Sequence, residues 1–115
     1  SNNLFISYKA EEQTMTITEN YSPDRKTIEL VVSGRLDTGT APQLEEKLKQ
    51  VATGIQLLYL NLKEAEYVSS AGLRVILLAH KITLPSGGKT ILRSPSAFCM
   101  QVLEATGMDS ILNIE

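Results

Sequence analysis

The sequence is poor in the residues that bind metals and form disulfides. It contains one cysteine, Cys99, and one histidine, His80. A single cysteine cannot form an intramolecular disulfide, and one cysteine with one histidine cannot supply the ligands of a structural zinc site. Cys99 lies in an apolar helical stretch, which favours a small buried hydrophobic residue over a reactive thiol. The composition therefore predicts no metal site and no disulfide, and we expect a reducing, cytoplasmic compartment.

Long apolar runs and a strong charge of either sign are also missing. The longest uninterrupted apolar run is Val75 to Ala79, far shorter than the ~20 residues of a membrane-spanning helix. The first three residues, Ser1 to Asn3, lack the basic and apolar regions of a signal peptide. The net charge is −2, so no basic surface for nucleic acid is predicted. We expect no membrane span and no direct contact with nucleic acid.

Motifs of catalysis and nucleotide binding are absent too. No Gly-x-Ser-x-Gly nucleophile elbow occurs. The run Gly88-Lys89-Thr90 ends like a phosphate-binding loop, but that motif needs glycine at position 83, which is Thr83. The run also leads into a predicted strand, whereas a phosphate-binding loop opens a helix. The sequence predicts no catalytic residue and no cofactor, and an enzyme is the least favoured class of protein.

What is present is an ordinary globular composition of 115 residues, 43% of them hydrophobic, which predicts one domain over residues 1–115. Residues 1–13 are either an extra strand or a cloning remnant. The predicted strands are Leu4 to Tyr8, Met15 to Thr18, Ile28 to Val32, Leu57 to Leu60 and Thr90 to Arg93. The predicted helices run from a capping box of Thr40 and Gln43 to Gly54, from about Ala71 to Thr83, and from Ser94-Pro95 to near Gly107.

The order of these elements predicts the fold class. Two antiparallel strands come first, and strands then alternate with helices, as in right-handed crossover units. The apolar run Leu57 to Leu60 does not alternate, which indicates a strand covered on both faces. We predict a mixed α/β fold, with a sheet of about four to five mixed strands and helices packed mainly on one face.

One stretch of the sequence carries a functional signal. Val68-Ser69-Ser70-Ala71-Gly72 follows a buried strand and opens the second helix. Either serine can cap that helix, and we predict Ser70 as the N-cap. A phosphoryl group on Ser70 would suit a helix N-terminus, which favours an anion by ~0.3–1 kcal/mol. Ser70 is therefore predicted to be a control point whose modification leaves the fold intact.

The helix that follows is apolar around most of its circumference. Only Arg74 and Lys81 mark a clear polar arc, although a surface helix of a small domain usually has a wider one. Either this helix is enclosed by its own domain, or part of its apolar surface is covered by a partner. The sequence leaves both readings open.

Together with Gly34-Arg35-Leu36-Asp37 ahead of a capped helix, the run Val68 to Arg74 resembles the STAS domain. More narrowly, it resembles the stand-alone anti-sigma-factor antagonists of bacteria. The resemblance covers roughly residues 14–114 and implies a mixed sheet with helices on one side. It also implies a function without catalysis. The unphosphorylated form binds an anti-sigma factor, which is a serine kinase that holds its own ATP, and thereby frees a sigma factor. Phosphorylation ends the binding, and a PP2C-type phosphatase reverses it.

The resemblance also assigns site residues. Ser70 matches the phosphoacceptor of the family. Many members carry aspartate immediately before the phosphoacceptor, but this chain has a second serine there, Ser69, which is therefore the rival acceptor. Asp37 matches an acidic residue near the same loop, where it either forms an Asx turn or contacts the partner. Leu73 either contacts the partner or belongs to the core, and Gly72 allows either a close approach or a tight first turn. The implied partner-binding residues are Asp37, Thr38, Ser69, Ser70, Ala71, Gly72, Leu73 and Arg74.

A second reading of the same resemblance stays open at this point. STAS domains also serve as subunits that do not switch, in transport assemblies or in large signalling assemblies.

Overall fold

Residues 15–115 are described in the structure, a computed structural model, and they form one mixed sheet with three α-helices. The predicted strand at Leu4 to Tyr8 lies outside the described residues. The strands are β1 (Met15–Tyr21), β2 (Thr27–Leu36), β3 (Leu57–Asn61), β4 (Ala65–Val68) and β5 (Lys89–Arg93). The helices are α1 (Ala41–Val51), α2 (Ser70–Ile82) and α3 (Ala97–Thr106), and 3-10 turns cover Leu84–Ser86 and Met108–Ser110.

Strand β2 organises the sheet because it pairs along both of its edges. On one edge β1 runs antiparallel to it, as the hairpin pattern predicts. On the other edge, its first half pairs in parallel with β3, which pairs in parallel with β5. Its last residues, Gly34 to Leu36, pair instead with β4, and this pairing contains a register shift between Gly34 and Arg35. The predicted mixed sheet is thereby confirmed, and within residues 15–115 it has five strands, in agreement with the predicted four to five.

Strand β4 was not predicted from the sequence. It has only four residues, Ala65-Glu66-Tyr67-Val68, and alanine and glutamate are both weak strand formers. Its pairing partner is the end of β2, about thirty positions earlier. Tyr67 and Val68 favour strands, but two such residues are too few to predict one. The segment is a strand here because of that distant partner, which no local pattern reveals.

The core lies between one face of the sheet and the helices. Strand residues that alternate along the chain are fully buried on this face: Ile28, Leu30, Val32, Leu58, Leu60 and Leu92. Two contacts place α1 and α2 on this face. Lys47 of α1 forms an ion pair with Glu19, which lies on this same face of the sheet. The hydroxyl of Thr90 on β5 donates a hydrogen bond of 2.6 Å to the Ala79 carbonyl of α2.

The prediction that β3 is covered on both faces is wrong. Its burial alternates, with Leu58 and Leu60 buried and with Leu57, Tyr59 and Asn61 only half-buried. Leu57, Tyr59 and Asn61 point to the face of the sheet opposite the core. On that face, the Arg93 guanidinium lies 3.6 Å from the centre of the Tyr59 ring. Side chains of neighbouring strands thus give Tyr59 part of the cover that a helix layer would otherwise supply.

Two predicted helix starts need correction. Thr40 precedes α1 as predicted, but its hydroxyl donates to the Arg35 carbonyl at 2.7 Å and makes no capping bond to the helix. Helix α3 is capped by Ser96 rather than Ser94, because Ser96 Oγ accepts the Cys99 N–H at 3.1 Å. Ser94 has a φ of 51° and lies in the turn before the helix.

Among the described residues, no helix is both long enough and apolar enough to cross a membrane.

Candidate functional site

The predicted site residues come from two segments that meet at one end of the sheet, where strands β2 and β4 finish. Leu36 pairs with Val68 at the carboxyl ends of the parallel strands β2 and β4. Just beyond this pair, the Ser69 N–H donates a hydrogen bond of 2.9 Å to the Leu36 carbonyl oxygen. Because this bond joins the two strand ends, Asp37 and Thr38 after β2 lie beside the start of α2. The unpredicted strand β4 is what brings the two halves of the site together.

The two serines of the motif have different structural roles. Ser69 is the N-cap of α2, with extended backbone, and its Oγ accepts the Gly72 N–H at 3.3 Å. Ser70 is the first residue of the helix, and its side chain is exposed. The expectation that Ser70 is the N-cap is therefore wrong by one position. The Ser70 hydroxyl makes no hydrogen bond to any other residue of 15–115, so the cap does not depend on it.

Gly72 lets the first turn of α2 approach the end of β2 closely. A Cβ atom at this position would lie 2.6 Å from the Leu36 carbonyl oxygen and 2.9 Å from Leu36 Cγ. Both distances are shorter than van der Waals contact. Gly72 itself is buried. Its small size therefore serves packing within the chain, between the helix and the end of β2, just before Asp37.

The apolar circumference of α2 is covered mainly by its own domain. Gly72, Val75, Ile76 and Ala79 are buried. Ala71, Leu73, Leu77 and Ile82 are half-buried and pack against the core. Of the two readings that the sequence left open, the structure favours an enclosed helix, and Leu73 contributes to the core. The exposed residues near the start of α2 are Ser70 and Arg74.

Asp37 shapes the loop between β2 and α1. Its Oδ1 accepts hydrogen bonds from the N–H groups of Gly39, at 3.0 Å, and Thr40, at 3.1 Å. Burial by itself raises the pKa of this carboxyl, but the two backbone N–H donors and the Thr40 hydroxyl together outweigh it, so the pKa lies below its ordinary value. Asp37 thus forms the Asx turn that one of the two predictions describes, while Oδ2 faces Arg35 at 3.6 Å.

A stack of three side chains beside this loop was missed from the sequence. The Arg35 guanidinium lies 4.3 Å from the centre of the Tyr67 ring. That ring lies 5.3 Å from the ring of Phe98 on α3, which is 38% exposed. Arg35 and Tyr67 are paired on β2 and β4. Without β4 in the prediction, nothing in the sequence indicated that these residues meet.

The two arginines near the site differ in their contacts. Arg35 is engaged by Asp37 and by Tyr67. Arg74 is exposed, and it forms no salt bridge and no cation–π contact with any residue of 15–115. Thr38 is exposed beside Asp37. Among the described residues, the site therefore presents two exposed hydroxyls, those of Thr38 and Ser70, and one uncommitted cation, Arg74.

Comparison with known proteins agrees with this architecture. The STAS domain family matches residues 19–115. The chain belongs to that family and, within it, to the anti-sigma factor antagonists, which are regulators and not enzymes.

Two relatives carry most of this assignment. The anti-sigma-B factor antagonist of Bacillus subtilis is 29% identical over 87% of this chain and 92% of its own length. That of Listeria monocytogenes is 33% identical over 80% of this chain and 82% of its own length. The anti-sigma factor antagonist SpoIIAA shares the fold. Its unphosphorylated structure has a TM-score of 0.74 at 19% identity, over 87% of this chain and 88% of SpoIIAA, and its phosphorylated form has also been solved.

Proposed function

We propose that this protein binds an anti-sigma factor while Ser70 is unphosphorylated, and that phosphorylation of Ser70 ends the binding. The anti-sigma factor is a serine kinase in this proposal, and a PP2C-type phosphatase restores the binding form. Binding sequesters the anti-sigma factor and frees a sigma factor in the cytoplasm. The relatives named for antagonism of an anti-sigma factor support the partner class, and the phosphorylated SpoIIAA structure supports the type of switch.

The observation that carries the proposal is the division of roles between Ser69 and Ser70. Ser69 holds the helix start through its hydrogen bond to Gly72. Ser70 is exposed and takes no part in that bond. A kinase can therefore reach Ser70 without opening the fold, and its phosphoryl group does not break the cap. Ser69 is half-buried, and its oxygen already accepts the Gly72 N–H, so a kinase would have to displace that bond to reach it; Ser70 is therefore the better phosphoacceptor on structural grounds.

The docking surface in this proposal is formed by exposed residues around Ser70. Thr38 and Arg74 are exposed, and Asp37 holds its loop beside the start of α2. A phosphoryl group carries a charge of about −1.5 to −2 at neutral pH. Placed in the middle of such a surface, this charge must be desolvated against the partner, which opposes docking.

The test is a titration combined with mapping of the phosphate. In calorimetry, the unphosphorylated chain is expected to bind the anti-sigma factor kinase, and incubation of the two proteins with ATP is expected to abolish the binding. Peptide mass spectrometry is expected to place the phosphate on Ser70. Phosphate on Ser69 alone, or unchanged affinity after full phosphorylation of Ser70, would overturn the proposal.

A further inference from the structure

We infer that Arg74 is the internal partner of the phosphoryl group on Ser70, and that it holds this group against helix α2 in the phosphorylated protein. The inference rests on the proposed function only in taking Ser70 as the modified residue. It adds a regulatory role for a residue of the same chain, apart from any contact with the partner.

The first argument is the spacing along the helix. Ser70 is the first residue of α2, and Arg74 follows it by four positions in the same helix. Residues at positions i and i+4 lie on one face of a helix, with Cβ atoms roughly 5–6 Å apart. An acidic group placed four residues before a basic group is the more favourable orientation of such a pair. Phosphorylation of Ser70 would create this orientation.

The second argument is that Arg74 has no competing partner. It is exposed, and within residues 15–115 it forms neither a salt bridge nor a contact with an aromatic ring. Arg35, the other arginine near the site, has its guanidinium occupied between Asp37 and Tyr67. A phosphoryl group on Ser70 would thus meet an uncommitted guanidinium in Arg74, whereas pairing with Arg35 would require that stack to open.

The third argument is the chemistry of the pair. A guanidinium presents several N–H donors in one plane, and these match two oxygens of a phosphoryl group at once. The pair would form on the surface of a helix that is already closed, so no backbone rearrangement is needed. Phosphorylation would then change two charges of the docking surface together, because it adds an anion at Ser70 and occupies the cation of Arg74.

The experiment uses the full chain with phosphoserine installed at position 70 by genetic code expansion, so that no kinase is needed. The 31P NMR signal of the phosphoserine is followed against pH in wild type and in the variant Arg74→Gln. A neighbouring cation favours the doubly ionised phosphoryl group, so the titration midpoint of wild type is expected about 0.3 pH lower than that of Arg74→Gln. High salt should shrink this difference, because the pair is exposed.

Two further variants serve as controls. Arg74→Lys keeps the charge and is expected to keep part of the shift. Lys81→Gln removes an exposed cation from the same helix, eleven residues and thus roughly 16 Å from Ser70, which is beyond the Debye length of about 8 Å. It is expected to titrate like wild type. Equal midpoints for wild type and Arg74→Gln, or an equal change in Lys81→Gln, would overturn the inference.

The two proposals fail in different measurements. If the chain does not bind an anti-sigma factor, the calorimetric titration fails while the 31P midpoints still report on the pair. If the pair does not form, the midpoints coincide while binding and its loss on phosphorylation are unaffected. As a direct readout, the NMR chemical shift of the Arg74 Nε–H should change when phosphoserine replaces Ser70, and it should not change in Ser70→Ala.

Discussion

The side-chain oxygen of Ser69 lies 3.3 Å from the backbone nitrogen of Gly72 and accepts its hydrogen bond. This contact closes the first turn of α2 and fixes which of two adjacent serines is structural. It leaves Ser70, one position later, exposed on the helix surface. The motif thus separates the stability of the helix start from the hydroxyl that we propose to be regulated.

Replacement of each serine by alanine should separate the two roles. Ser69→Ala removes the cap acceptor and is expected to lower the free energy of unfolding by about 1 kcal/mol. Ser70→Ala is the matched control, with an expected change within about 0.5 kcal/mol because the side chain is exposed. Urea denaturation followed by circular dichroism measures both. A larger loss in Ser70→Ala than in Ser69→Ala would contradict the assignment of the cap.

Gly72→Ala tests the close approach of α2 to β2. Alanine is the better helix former by about 1 kcal/mol, but its Cβ would lie 2.6 Å from the Leu36 carbonyl oxygen. We expect the overlap to dominate, with a net loss of about 1–3 kcal/mol in urea denaturation.

Gly39→Ala is the control for this substitution, because its Cβ would lie 3.5 Å from the nearest atom, Asp37 Oδ1, at ordinary contact distance. Its expected effect is within about 0.5 kcal/mol. A stabilised Gly72→Ala variant would show that the helix start is not tightly packed against Leu36.

Ser70→Asp should weaken binding to the anti-sigma factor without unfolding the domain. The new carboxylate lies at a helix start, where a negative charge is tolerated, so the free energy of unfolding should change by less than about 0.5 kcal/mol. Its charge in the docking surface is expected to weaken binding at least about tenfold in calorimetry. Ser70→Asn matches the size without the charge and should bind more tightly than Ser70→Asp. Equal affinities of the two variants would show that charge is not the signal.

The lowered pKa of Asp37 predicts that the stability of the fold decreases at acidic pH. Because the pKa of its carboxyl is lowered in the folded protein, the ionised form contributes stability above the unfolded pKa of ~3.9. That contribution is lost as the pH falls through the lower, folded pKa. In the variant Asp37→Asn, the side-chain amide oxygen can accept the same N–H bonds but carries no charge. The urea midpoints of wild type and Asp37→Asn should therefore differ at pH 7 and converge near pH 2, and a constant difference would contradict the shift.

The sequence predicted those elements whose evidence is local. The hairpin of β1 and β2 follows from alternation on either side of a turn, and the end of α3 follows from Gly107, whose φ of 76° suits glycine. The motif around Ser70 is contiguous, so its place at the start of a helix was visible without coordinates, although the strand that leads into it, β4, was not. The family resemblance rests on the same contiguous residues.

Tertiary structure decided the features that depend on distant partners. Strand β4 exists through pairing with the end of β2, which also brings Asp37 to Ser69 and Arg35 to Tyr67. Competition between hydroxyls for nearby backbone groups decided that Ser69 and Ser96 cap their helices, while Thr40 bonds backward to Arg35. Propensity ranks residues one at a time, whereas these outcomes depend on which donor and acceptor the folded chain places within hydrogen-bonding distance.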